Sequence, residues 1–181
     1  MNAHQKLPIL TIVGGRPGTG KSTLAHLLAK RIHCPLISRD AIKEGIVNTL
    51  GDKGTPGGTP TPEAVATFFS VIELLLQNQV TLVADVFFPE ESWRAHIDRL
   101  KKIATVNFVF CQVDVETASH RMTKRRQEDA QWDEFHNKPV FQKTMPSTRY
   151  EPPKLDIPLL IVDCQKEYDP DIESIFRFTK R

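Results

Sequence analysis

Little in this sequence points to disulfides, bound metal clusters or membranes. The 181 residues include three cysteines, Cys34, Cys111 and Cys164, and no two of them form a Cys-x-x-Cys pair. Neither a disulfide framework nor a zinc site has the spacing it needs. Each cysteine sits in or beside an apolar run, where a thiol behaves as a small buried hydrophobe. A reducing cytoplasm is the expected setting. No apolar stretch follows a basic start, so no secretory leader is expected, and no run approaches the ~18 apolar residues of a membrane span. The net charge of +2 is too small for a surface that coats nucleic acid or lipid, although a local basic cluster can still bind phosphates. There is no internal repeat and no sign of a second domain. The length suits one domain over residues 1–181, large enough to bury a core without staples.

What is present alternates between two periods. Short apolar runs at 7–13, 36–38, 80–84, 105–113 and 157–162 read as strands. Between them, segments 21–31, 41–50, 62–78, 90–102 and 115–129 carry apolar residues at helical spacing, and a last helix is expected over about 170–179. Thr61 can cap the helix that Pro62 opens. Strands alternating with helices predict an α/β fold: a five-stranded parallel sheet with helices on both faces. Ligands of such sheets bind at the carboxyl ends of the strands. Asp40, Asp85 and Asp163 each follow a predicted strand and are expected to line that rim. Residues 51–62 are dense in Gly, Pro and Thr and read as a mobile surface loop.

The first turn carries the strongest signal. Gly15-Arg16-Pro17-Gly18-Thr19-Gly20-Lys21-Ser22 fulfils G-x-x-x-x-G-K-[ST], between a strand and a helix. Glycines let backbone N–H groups curl around phosphate oxygens, and the helix N-terminus adds positive potential. Lys21 is expected to reach the β- and γ-phosphates, Ser22 to hold Mg²⁺, and Thr23 to offer a second hydroxyl. A dinucleotide-binding turn is the competing reading, with Asp40 near the place of a ribose-binding acid. Against it, Thr23 stands where the third glycine belongs. An Asn-Lys-x-Asp guanine reader is missing, because Asn137-Lys138-Pro139-Val140 lacks the aspartate. ATP is therefore the expected donor.

The later strand ends separate a kinase from other nucleotide binders. A kinase acting on a hydroxyl needs a carboxylate to accept its proton and orient it toward the γ-phosphate. Asp40 is the candidate; a helix N-cap is its alternative role. Lys43, three residues on, shares its helix face and either orients Asp40, binds substrate, or is an exposed helix lysine. Asp85 suits a Mg²⁺ ligand or an acceptor contact, with a turn residue as the alternative. Arg121 and Arg125, four apart on a basic helix, would stabilise charge growing on the transferring group. The mixed segment at about 127–140 would then be a lid that excludes water. A solvated charged helix is the alternative, with Glu128 and Asp129 pairing to the arginines.

In this order, residues 15–23, Ile37 to Glu44, Val83 to Asp85 with Pro89 and Arg94 downstream, then Arg121-x-x-x-Arg125, the chain resembles the polynucleotide 5′-kinase-like P-loop kinases. That AAA-type ATP-binding group is similar to the zeta-toxin and chloramphenicol phosphotransferase kinases. The likeness spans about residues 7–165 and implies a P-loop NTPase fold with a small lid. It implies that Asp40 is the general base, that Arg121 and Arg125 are lid arginines, and that Asp85 is the acid after strand three. The basic residue after the base is commonly arginine in this group, and here it is Lys43. Arg94 joins Asp40, Lys43 and Asp85 as a candidate acceptor-side residue. The expected activity is ATP- and Mg²⁺-dependent phosphorylation of a hydroxyl on a small molecule. A 5′-hydroxyl nucleic-acid end is the alternative acceptor, and a nucleotide-dependent binding protein without acceptor is the alternative class.

Overall fold

The computed structural model describes residues 6–50, 62–87, 90–129 and 151–180. All but the last residue of the expected loop at 51–62, and most of the expected lid at 127–140, lie outside these residues. In chain order the described elements are β1 (Ile9–Gly14), α1 (Lys21–Ile32), β2 (Leu36–Ser38), α2 (Arg39–Leu50) and α3 (Pro62–Gln77). They continue as β3 (Leu82–Val86), α4 (Glu90–Leu100), β4 (Thr105–Gln112), α5 (Val115–Glu128), β5 (Leu159–Asp163) and α6 (Ile172–Phe178). The strands form one sheet in the order β2-β3-β1-β4-β5, every pairing parallel. The five-stranded parallel α/β sheet read from the alternating periods is observed, and it is the P-loop NTPase fold that the resemblance implies.

Strand alternation sends side chains to two separate cores. Leu10, Ile12, Leu82, Ala84, Phe108 and Phe110 pack with Phe68, Phe69 and Ile72 of α3 and Trp93 and Ile97 of α4. Val13, Val83, Val109, Cys111 and Val162 face the other way, against Leu24, Ala25 and Leu28 of α1 and Ile175 of α6. Asp85 has the parity of Val83, so it points to the α1 side. That choice of face brings it to the start of α1.

Several strand boundaries differ from the sequence expectation, and those of β3 and β5 bear on the site. β3 begins at Leu82, not Val80, because the α3 exit still occupies Val80: its N–H donates to the Leu75 carbonyl, and Gln79 turns with a φ of 63°. β3 then runs on to Val86, so Asp85 lies inside the strand, in register with Val13 on one side and Ser38 on the other. Likewise β5 begins at Leu159 and includes Asp163. No helix among the described residues is long and apolar enough to cross a membrane.

Candidate active site

The phosphate loop is shaped by what surrounds it. Gly15 has a φ of 154°, and a Cβ there would lie 2.5 Å from the Cys111 carbonyl oxygen of β4. Gly18 has a φ of 84°, and a Cβ there would lie 2.4 Å from the Ala118 carbonyl oxygen of α5. No other residue fits either place without displacing backbone. Thr19 is fully buried, and its hydroxyl donates to the Arg16 carbonyl at 2.8 Å. Its side chain therefore closes the loop rather than facing a ligand. Arg16 is buried as well, at 8% exposure. Pro17, Lys21 and Ser22 are half-buried and Thr23 is exposed. The Cys111 thiol hydrogen-bonds to Cys164, just past the end of β5, and that bond together with burial pushes it well above its ordinary pKa.

Beside the loop, the fold gathers Lys21, Ser22, Asp85 and Asp40 from three successive strand–helix junctions. Burial raises the Asp85 carboxyl above its ordinary pKa; Lys21 and a hydrogen bond with Ser22 pull it down, and the Asp40 charge pushes it up. The side chain is 6% exposed and its Oδ1 has no hydrogen-bond partner among the described residues. A buried carboxylate oxygen without a partner is costly. It is a place for a cation or an ordered water, and with the Ser22 hydroxyl it offers the hard oxygen donors that Mg²⁺ prefers.

Asp40 stands in the first turn of α2. It is not the N-cap: the Ser38 hydroxyl accepts from the Ala41 N–H at 3.3 Å and takes that place. Lys43 is buried at 6% exposure, so it is not an exposed helix lysine. Arg39, which no spacing rule singled out, grips Asp40 Oδ1 with Nη2 at 2.5 Å and Nε at 3.1 Å.

The two arginines of α5 separate. Arg121 is half-buried, and its Nη2 donates to the carbonyls of Cys164 and Gln165, both at 2.9 Å. Its Nη1 lies 3.9 Å from where a Gly20 Cβ would stand, so it flanks the phosphate loop. Arg125, one turn further out, is exposed. Asp163 ends β5 at the strand-end rim, and its Oδ1 accepts from the Gln165 N–H at 2.7 Å, shaping the turn that follows. Gln165 in turn bonds Asp114 and the Thr117 hydroxyl, tying that turn to the start of α5. Arg94 is exposed on α4 and donates to the Lys154 carbonyl at 3.3 Å, which joins it to the segment before β5.

Fold and motif together define a P-loop protein, with a parallel α/β sheet and the phosphate-loop sequence between β1 and α1. The profile of the AAA domain family matches residues 10–140, and the chain belongs to that family. Similar solved structures include a candidate kinase from Chloroflexus aurantiacus j-10-fl, 24% identical over 97% of this chain and 98% of that one, with a TM-score of 0.81. A sugar kinase from Janibacter sp. HTCC2649 is 18% identical over 96% and 95%, with a TM-score of 0.65. The Mycobacterium tuberculosis APS kinase, in complex with AMPPNP and APS, is 16% identical over 98% and 100%, with a TM-score of 0.61. No curated protein matches the chain. The resemblance carried by the motifs holds at the level of the P-loop kinase group.

Proposed function

We propose that the chain is an ATP- and Mg²⁺-dependent kinase that transfers the γ-phosphoryl group to a hydroxyl of a small molecule. The observation that carries this reading is the buried Oδ1 of Asp85, without a hydrogen-bond partner among the described residues, beside Ser22 and Lys21, with Asp40 near enough to perturb it. Residues 15–20 and Lys21 hold the triphosphate, with Thr23 on its edge. Ser22 and Asp85 hold the cation, which neutralises charge on the β- and γ-phosphates when bound. Asp40 accepts the acceptor's proton, and Lys43 lines the acceptor side. Arg121 stabilises charge as it develops, with Arg125 added from the outer turn. Arg94, exposed on α4 and bonded to the Lys154 carbonyl, is a further acceptor-side residue.

Two similar structures are named for a sugar and for APS, both small molecules, which supports a small acceptor. The exposed Lys124 and Arg125 favour a second reading, a polynucleotide 5′-hydroxyl acceptor. An ADP-release screen with Mg²⁺-ATP over sugars, sugar acids, nucleosides and a 5′-hydroxyl oligonucleotide separates the two. Asp40→Asn should keep ATP binding and lower transfer by about 10²-fold or more. Unchanged turnover in that variant would refute the assignment of Asp40.

A further inference from the structure

Arg39 opens α2 directly before Asp40. Successive residues of a helix point about 100° apart, so they do not normally meet. Here the guanidinium folds back, and two of its nitrogens converge on one oxygen, Asp40 Oδ1, at 2.5 and 3.1 Å. Its third nitrogen reaches the Phe87 carbonyl at 3.5 Å, just beyond β3. The Arg39 side chain is only 10% exposed, against 36% for Asp40. The cation is thus the fixed member of the pair, anchored to the strand that carries Asp85, and the carboxylate is the member facing the open side.

We propose that Arg39 is a positioning residue for phosphoryl transfer, holding Oδ1 of Asp40 and so fixing the direction in which that carboxylate meets the acceptor hydroxyl. This rests on the reading of Asp40 as the base. In that step the acceptor oxygen bonds to the γ-phosphorus, the bond to the β,γ-bridging oxygen breaks, and ADP leaves with its electron pair. The acceptor's proton passes to Asp40. The step demands near-attack geometry, and a misplacement of about 1 Å costs on the order of 10²-fold. A guanidinium supplies two N–H directions at one oxygen; a lysine supplies the charge without the planar fork.

Hydrolysis of Mg²⁺-ATP, with water as the acceptor, tests this without knowledge of the biological acceptor. Arg39→Gln should lower kcat about tenfold or more and leave the KM for ATP within about twofold. Added to Asp40→Asn, it should cost nothing further, because its effect runs through that carboxylate. Arg39→Lys should recover part of the rate. A wild-type rate in Arg39→Gln, or an equal loss in both backgrounds, overturns the proposal and leaves Arg39 as an anchor between α2 and β3. If Asp40→Asn itself hydrolyses at the wild-type rate, the base assignment fails and takes the inference with it. Circular dichroism melting checks that each variant folds. Should Arg39→Gln not fold, Arg39→Lys decides: a wild-type kcat at unchanged KM overturns the proposal.

Discussion

Replacing Asp85 with asparagine should make the metal-free protein more stable and less active. The side chain is 6% exposed and its Oδ1 lacks a partner among the described residues. A buried polar group left in that condition costs about 1–3 kcal/mol, more when charged. Asparagine keeps the shape and removes the charge, while its amide N–H groups need partners that a carboxylate does not. A net gain of about 1–2 kcal/mol remains, which for a chain of this length is a rise in Tm of about 2–8 °C. The pH dependence follows from the direction of the shift. The folded-state pKa of Asp85 lies above its ordinary value, chiefly through burial. The folded protein therefore binds this proton more tightly than the unfolded chain does, and stability rises as pH falls through the raised pKa. The penalty is present in full above that raised pKa. The gap between variant and wild type should accordingly be widest near pH 7 and close as the solution is acidified. Thermal melts in EDTA at several pH values measure it. Mg²⁺ with ATP should raise the wild-type Tm and move the variant's less, since a ligand stabilises only the state that binds it. A variant that melts at or below the wild type at pH 7, or a gap that widens in acid, would refute the reasoning.

Other substitutions probe the frame around the site. Gly18→Ala puts a Cβ 2.4 Å from the Ala118 carbonyl oxygen at a φ of 84°; ATP affinity by calorimetry should fall at least about tenfold, with a lower Tm. Arg121→Ala removes both hydrogen bonds to the Cys164 and Gln165 carbonyls, each charge-assisted. Urea unfolding should register a loss of about 1.5–3 kcal/mol, beyond any effect on phosphoryl transfer. An unchanged midpoint would mean that the turn after β5 holds without it.

The phosphate loop and the parallel sheet were legible because each rests on a local pattern: eight residues in one turn, and apolar runs that alternate with helical periods. The same patterns mislead where tertiary contacts decide. Spacing of four placed Arg121 and Arg125 on one face of α5, which is correct, but periodicity carries no information about depth. One turn further out, Arg125 is exposed while Arg121 is clasped by two carbonyls. Lys43 looked as much like a surface lysine as a site residue, because a buried lysine leaves no trace in an amphipathic pattern; its 6% exposure comes from how α2 docks. Asp85 reads as following a strand and in fact lies within one, since its pairing with Val13 and Ser38 is a property of the neighbours. Arg39 was invisible because adjacent helical residues are not expected to touch. The Gly20-Lys21-Ser22 signature marked the turn after β1, and which side chains surround it depended on packing.

The contacts at Gly15 and Gly18 bear on whether such a signature can be moved between proteins. What forbids a side chain at these positions is the backbone of Cys111 and Ala118, roughly a hundred residues away in sequence. The eight-residue motif is thus half of a joint whose other half is written in β4 and α5. Grafted onto a strand–helix turn without those two walls, the glycines would gain freedom they do not have here, and the loop would no longer be held in the shape of a phosphate.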